Sequence, residues 1–387
     1  FVKKEREYDI PLSFEGDAAI YVVSRISGEG NDRLEEKGDI YLTDSEIRDI
    51  LSLNEKFEKF MLVLNVGGVI DLSPVKDVSN ILLLSQLGKN IGDVFASILL
   101  GKANPSGKLS TTWASYLDYP LSTRTIDIND TNYTESIYVG YRYFDSYNVK
   151  PLFPFGYGKS YSEFEISNPK VVLNGRAVNV ICTVKNTSPY VGKEVVQLYV
   201  SEPQGKLGKV YQRLISYKKS NNILPNSEEE LVLSFDFFSL ASFSVEQSAY
   251  VMEKGNYILR LGNSSKDTVV IGAISLKEDF IVKKVKLIYK NAPTPSVKEL
   301  KDEEVENTIP FDHIVSIGEV NYPEPRIAKD INKYSDNELI SLLIGSQRGD
   351  GLSSFVGESP MRVKGAAGES SNEVDSTLML CLMVRLA

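Results

Sequence analysis

A carboxyl set between two glycines, Gly28-Glu29-Gly30, is bracketed by two arginines, Arg25 and Arg33. The glycines admit backbone angles that other residues resist, and the loop follows directly on the apolar run Ala18 to Val23, which stops at Ser24. A strand over that run would hold Glu29 beyond its carboxyl end, where open parallel sheets bind ligands. Glu29 is therefore a candidate general acid or base. A solvated Glu on a surface turn fits the same spacing. A general acid needs apolar enclosure and no close cation to keep its proton near neutral pH, and Arg25 and Arg33 would oppose this if they pointed at Glu29. The nearest competing carboxyls are Asp32, Glu35, Glu36 and Asp39. Asp32 adjoins Arg33 and reads as the partner that holds the loop, whereas Glu35 and Glu36 precede Lys37 and read as solvated.

Little else in the chain offers rival chemistry. Its single histidine, His313, sits in linker-like sequence, and its two cysteines, Cys182 and Cys381, lie far apart in segments of different character. A disulfide framework, a Cys/His zinc site and a Ser-His-Asp triad all lack support, and no metal or organic cofactor is implied. With 43 basic against 52 acidic residues and a formal charge of -9, the chain carries no cationic stripe for a phosphate backbone. Its longest apolar runs, Ile81 to Leu84 and Phe95 to Leu100, fall far short of the roughly 20 residues of a spanning helix. Neither a Gly-x-Gly-x-x-Gly turn nor a Walker loop supports nucleotide binding.

The elements that must position Glu29 follow in order. Thr43-Asp44-Ser45-Glu46 has the form of a capping box, and Ile47, Ile50 and Leu51 continue it as a helix ending near Lys56. Phe60 to Val66 reads as a strand buried on both faces, and Ser79 to Ser85 as a third. Gly88 to Leu100 has the spacing of a helix packed by one face onto the sheet, with Gly101 as its C-cap. Strand, helix, strand, strand, helix predicts part of a parallel α/β layer. Between Tyr133 and Tyr161 aromatic, Pro and Gly residues crowd together, a composition suited to wedging domains against each other. From Phe164 to Leu276 the apolar period changes to two, as in Val178, Val180, Cys182 and Val184. About seven antiparallel strands forming a β-sandwich are expected.

Four motifs in this order resemble signatures of glycoside hydrolase family 3, the β-glucosidase and β-xylosidase family. They are Arg25-Ile-Ser-Gly-Glu-Gly-Asn-Asp-Arg33, Gly101-Lys-Ala-Asn-Pro-Ser-Gly-Lys-Leu109, Tyr138-Val-Gly-Tyr-Arg-Tyr-Phe-Asp145 and Phe153-Pro-Phe-Gly-Tyr-Gly158. Lys159, where the family usually has an apolar residue, and Ser110, where Pro is common, bear on packing and leave the loop untouched. Tyr334-Ser-Asp-Asn-Glu-Leu-Ile340 and Gly365-Ala-Ala-Gly-Glu369 are similar to the opening of that family's (β/α)8 barrel, which in an inverted-order subgroup follows the fibronectin-like domain. The resemblance implies a multidomain α/β plus all-β chain. Residues 1–162 would be an N-terminally truncated α/β sandwich domain, 163–280 a fibronectin type III-like domain, 281–326 a linker, 327–375 the start of the barrel and 376–387 a frameshifted tail.

By the same resemblance, Glu29 is the acid/base of a retaining two-carboxylate hydrolysis of β-glucosides or related oligosaccharides. The Asp nucleophile would come from the barrel and has no counterpart here, so the chain is expected to be an inactive fragment. Substrate-binding residues are not assigned. The rival expectation is a non-catalytic carbohydrate-binding or scaffolding protein, in which Tyr138, Tyr141, Tyr143 and Phe144 could stack on sugar rings, although their density beside a domain junction favours core. A frameshift near Val374 would make Cys381 non-native, and Cys182 would then be a buried, inert thiol. Phe1 to Glu7 shows neither an initiator Met nor a signal pattern, so the compartment is left open with a lean to the cytoplasm.

Overall fold

A computed structural model describes residues 15–25, 33–124, 134–287, 298, 300–312, 333 and 335. The chain divides into two units, Phe1–Glu319 and Val320–Ala387, and all but Lys333 and Ser335 of the described residues belong to the first.

The first layer is a parallel sheet in the order β1 (Ala19–Ser24), β2 (Phe60–Asn65), β3 (Ile81–Leu83). Between β1 and β2 runs α1 (Asp44–Lys56). Its capping box forms as the sequence predicts: the Glu46 N–H donates to Thr43 Oγ1 at 3.1 Å, and the Thr43 N–H donates back to Glu46 Oε2 at 2.9 Å. Such a cap stabilises a helix by about 1 kcal/mol. One stripe of α1, Ile50 and Leu53, is buried against Leu62 and Leu64 of β2.

The helix expected after β3 is present as α2 (Ile91–Leu99), preceded by a tight turn at Gly88–Asn90, but it is not packed onto the sheet by a buried face. None of its residues is buried, and Val94 and Leu99 are exposed. Apolar spacing selects the helix and the stripe it presents, but it does not supply a partner for that stripe.

Two short helical segments, α3 (Leu121–Arg124) and α4 (Tyr141–Ser146), lead out of the layer. The β-sandwich follows. One sheet pairs β4 (Phe164–Asn174), β5 (Ala177–Asn186) and β8 (Glu228–Asp236), and the other contains β6 (Val195–Ser201), β7 (Arg213–Lys219), β11 (Gly255–Ser264) and β12 (Asp267–Leu276). Short strands β9 (Ser242–Ser244) and β10 (Ala249–Met252) raise the count between Phe164 and Leu276 to nine, against the seven expected, because three- and four-residue strands carry too little alternation to read. Val178, Val180, Cys182 and Val184 meet Val196, Leu198, Tyr257 and Leu259 in one core.

Part of the stretch read as a linker is built into this sandwich. Strand β13 (Phe280–Lys284) pairs with β10, β14 (Thr308–Pro310) pairs in parallel with β12, and Phe311 joins the core. Lys/Glu-rich composition conceals these pieces, since their charges are used in pairing: Glu303 binds Arg260, and Asp302 accepts the Gln204 N–H.

Three of the four motifs lie at the junction of layer and sandwich. The Asn104 amide donates to Ser162 Oγ and Val191 O and accepts from Ser160 Oγ and the Tyr161 N–H, which uses its full hydrogen-bonding capacity. Backbone hydrogen bonds tie Leu109 to Tyr157 and Gly156, and Trp113 to Phe153. Gly156, at φ +78°, lies against the Gln197 amide, where a Cβ would collide, and Gln197 Nε2 donates to its carbonyl at 3.0 Å. Tyr141 stacks on Phe155 at 4.5 Å and its hydroxyl accepts the Leu214 N–H, so α4 wedges against the sandwich.

Candidate active site

Parallel pairing of β1 with β2 and of β2 with β3 brings Ser24, Asn65 and Leu83 to one end of the sheet. Arg25 continues beyond it, its N–H bound to Asn65 O at 3.2 Å and its carbonyl accepting from Gln86 Nε2 at 3.0 Å. The chain thus enters the Gly-Glu-Gly loop at the carboxyl edge of a parallel sheet. Glu29 and Asp32 fall in residues 26–32, outside the described residues, as do His313, Gly365 to Glu369 and Cys381.

The two arginines that bracket the loop have defined partners. Arg25, 5% exposed, grips the Glu46 carboxylate with both terminal nitrogens, at 2.9 and 2.8 Å, and donates from Nε to Asp39 O at 2.8 Å. Arg33 donates to the same carbonyl from Nη2 at 3.0 Å, and its Nε binds Asp39 Oδ1. Asp39 Oδ2 accepts the Leu34 N–H at 2.9 Å. Two guanidinium groups meet on one backbone oxygen, and two carboxylates match their charge.

Asp39, weighed from sequence only as a competing acid, is 3% exposed with both oxygens accepting hydrogen bonds. Glu35 and Glu36 are exposed, Glu35 accepting from the Tyr41 hydroxyl. Glu46 was visible as a capping residue, but its second role depends on Arg25, 21 residues away, and no local pattern signals it. Burial and Glu35 push the Tyr41 phenol up to about 12, and burial does the same for Tyr119, so neither serves as a base near neutral pH.

The aromatics that could have stacked on sugar face protein. Tyr138 and Phe144 are 3% and 1% exposed, Tyr141 is covered by Phe155, and Tyr143 packs on Phe144 and Tyr147. Cys182 is buried in the sandwich core, and that burial pushes its thiol up to about 11. Among the described residues, no three His, Cys, Asp or Glu side chains are arranged to hold a metal ion, and no helix is long and apolar enough to cross a membrane.

Comparison with known proteins agrees with this architecture. Residues 11–161 match the glycosyl hydrolase family 3 C-terminal domain and residues 194–265 the fibronectin type III-like domain. Beta-glucosidase A of Butyrivibrio fibrisolvens is 35% identical over 366 residues, spanning 81% of this chain and 44% of the relative. A beta-glucosidase of Ruminococcus albus is 30% identical, with 87% and 38% covered. The structure of beta-glucosidase 3B from Thermotoga neapolitana in complex with alpha-D-glucose superposes with a TM-score of 0.65 at 38% identity, covering 69% of this chain and 38% of that one. The chain spans less than half the length of these relatives. It belongs to glycoside hydrolase family 3, with that family's C-terminal α/β domain placed ahead of its fibronectin type III-like domain.

Proposed function

We propose that this chain is the acid/base half of a retaining β-glucosidase and that Glu29 is the proton-transferring carboxyl. Residues 327–375 would begin the (β/α)8 barrel that contributes the Asp nucleophile. The observation that carries the reading is the path of the chain at Arg25: β1 ends level with its parallel neighbours and hands the Gly28-Glu29-Gly30 loop to the carboxyl edge of the sheet, with Arg25 bound to Glu46 and Asp39. The beta-glucosidase relatives support the substrate class. A single alignment covering 87% of 387 residues cannot end before about residue 336, so in the Ruminococcus albus relative the likeness extends beyond the sandwich.

In the proposed reaction the barrel Asp carboxylate attacks the anomeric carbon while the C1–O bond to the leaving group breaks. Glu29 gives its proton to the departing oxygen. Water then attacks the glycosyl-enzyme, Glu29 takes back a proton, and the Asp carboxylate leaves. Such chemistry places the two carboxyls roughly 5 to 5.5 Å apart. With one carboxyl supplied from outside these domains, the chain alone should not turn over.

The test is hydrolysis of aryl β-glucoside and β-xyloside by this chain and by the chain continued through a complete barrel. Only the second should be active. Glu29→Ala should lower its rate by about 10²- to 10⁴-fold, with partial rescue by azide. An inactive complete protein, or one indifferent to Glu29→Ala, would leave carbohydrate binding without catalysis as the better reading.

A further inference from the structure

We infer that Asp39 and Glu46 are positioning residues for the proton transfer assigned to Glu29: together they hold the guanidinium groups of Arg25 and Arg33, the residues that flank the Gly-Glu-Gly loop on either side. The inference rests on the Glu29 assignment above and goes beyond it, because neither carboxylate lies in the loop motif. Asp39 is the point of convergence. Its carbonyl accepts from the Arg25 side chain before the loop and from the Arg33 side chain after it, at 2.8 and 3.0 Å, so the residues flanking the loop on either side converge on one backbone group.

Charge explains why two carboxylates are needed. Two cations sharing one carbonyl repel each other unless each is matched. Glu46 matches Arg25 through two hydrogen bonds, and Asp39 matches Arg33 through its own side chain. The pairs are also sheltered, with side-chain exposures of 3% and 17% for Arg25 and Glu46 and 4% for Asp39, so solvent screens them weakly.

Glu46 is in turn held by the capping box of α1, through the Thr43 N–H at 2.9 Å, and Gln86, beyond β3, holds the Arg25 carbonyl. The loop's anchor therefore passes into α1 and the β3 end, not into solvent. A reacting carboxyl displaced by about 1 Å loses roughly 10²-fold in rate, so the anchor has a kinetic consequence. Loosening either carboxylate also frees a guanidinium to seek another anion, and the acid that protonates the leaving group is the wrong one to meet it.

The readout separates positioning from general damage. In the complete β-glucosidase, kcat/KM is measured for phenyl β-glucoside, whose leaving oxygen needs a proton, and for 2,4-dinitrophenyl β-glucoside, whose leaving group departs without one. Asp39→Asn should lower the phenyl value by about 10-fold or more while the dinitrophenyl value stays within about threefold. Glu46→Gln, which leaves Asp39 and Arg33 intact, should do the same to a smaller extent and serves if Asp39→Asn does not fold. Equal losses on both substrates, or no loss on either, would overturn the inference. Glu29→Ala measured alongside keeps the two claims apart. If it lacks leaving-group dependence, the acid/base assignment falls; if it shows that dependence and the Asp39 and Glu46 variants do not, only the positioning role falls.

Discussion

In the β-sandwich, Val178, Val180, Cys182 and Val184 of β5 are at most 1% exposed and face a second sheet across a shared core, whereas in the parallel layer Ile20 and Val22 of β1 stand 46% and 50% exposed. Both strands are apolar, and the difference lies in what faces them. In the layer, α1 covers the side carrying Ala19, Val23, Leu62 and Leu64, while α2, the next helix along the chain after β3, buries none of its residues. The sandwich is held by apolar packing that its own strands complete. At the carboxyl end of the layer's strands, hydrogen-bonded ions do the holding, and Arg25, Arg33, Asp39 and Glu46 make contacts there whose geometry is far more directional than packing. In the role proposed for Glu29, a loop that presents one carboxyl at a defined point gains from such directionality.

The sharpest way to break this comparison is to damage the sandwich core. Phe237 is fully buried between Tyr257 and Phe311, with ring centroids 5.0 and 4.8 Å away. Phe237→Ala should cost about 3–5 kcal/mol in urea unfolding. A cost below about 1 kcal/mol would mean that the sandwich, including its 300–312 segment, is not the self-completed core described above.

A smaller effect comes from the junction. Asp145 of α4 is buried beneath the sandwich, bound by Gln212 and Lys266, and burial pushes its carboxyl up against the pull of both partners. A carboxyl whose pKa is higher in the folded chain than in the unfolded one contributes fully to stability below the unfolded value, and that contribution is lost as pH rises through the folded value. The stability of the wild type relative to Asp145→Asn should therefore fall as pH is raised from about 4 towards neutrality. A difference that grows with pH would show that the Lys266 ion pair outweighs desolvation.

The smallest effect tests the open face itself. Val22→Thr, on the half-exposed side of β1, should change stability by less than about 0.5 kcal/mol. A cost above about 1.5 kcal/mol would show that something covers Ile20 and Val22 in solution and would erase the contrast between the two regions.

Periodicity made much of the fold legible. Alternation at Val178 to Val184 placed that face in the core, and Thr43-x-x-Glu46 marked the start of α1, because both patterns express contacts within a few residues of each other. The candidate acid was legible as a motif, Gly28-Glu29-Gly30, and so was the question its neighbouring arginines raise. Their partners were not: Asp39 had been weighed as a competing acid and Glu46 read only as a cap, since the contacts that define their roles span 6 to 21 residues and exist only once β1, α1 and the 33–41 segment are packed. For the same reason charged composition concealed Phe311, and apolar spacing in α2 promised a packing partner that the described structure does not provide. The sequence by itself determined the longer helices and strands and which carboxyl stands between glycines, because those are local preferences of the chain, whereas β9, β10, β13 and β14 were not legible in it. Only the tertiary structure decided which charges meet, since ion pairing depends on distances that the fold alone sets.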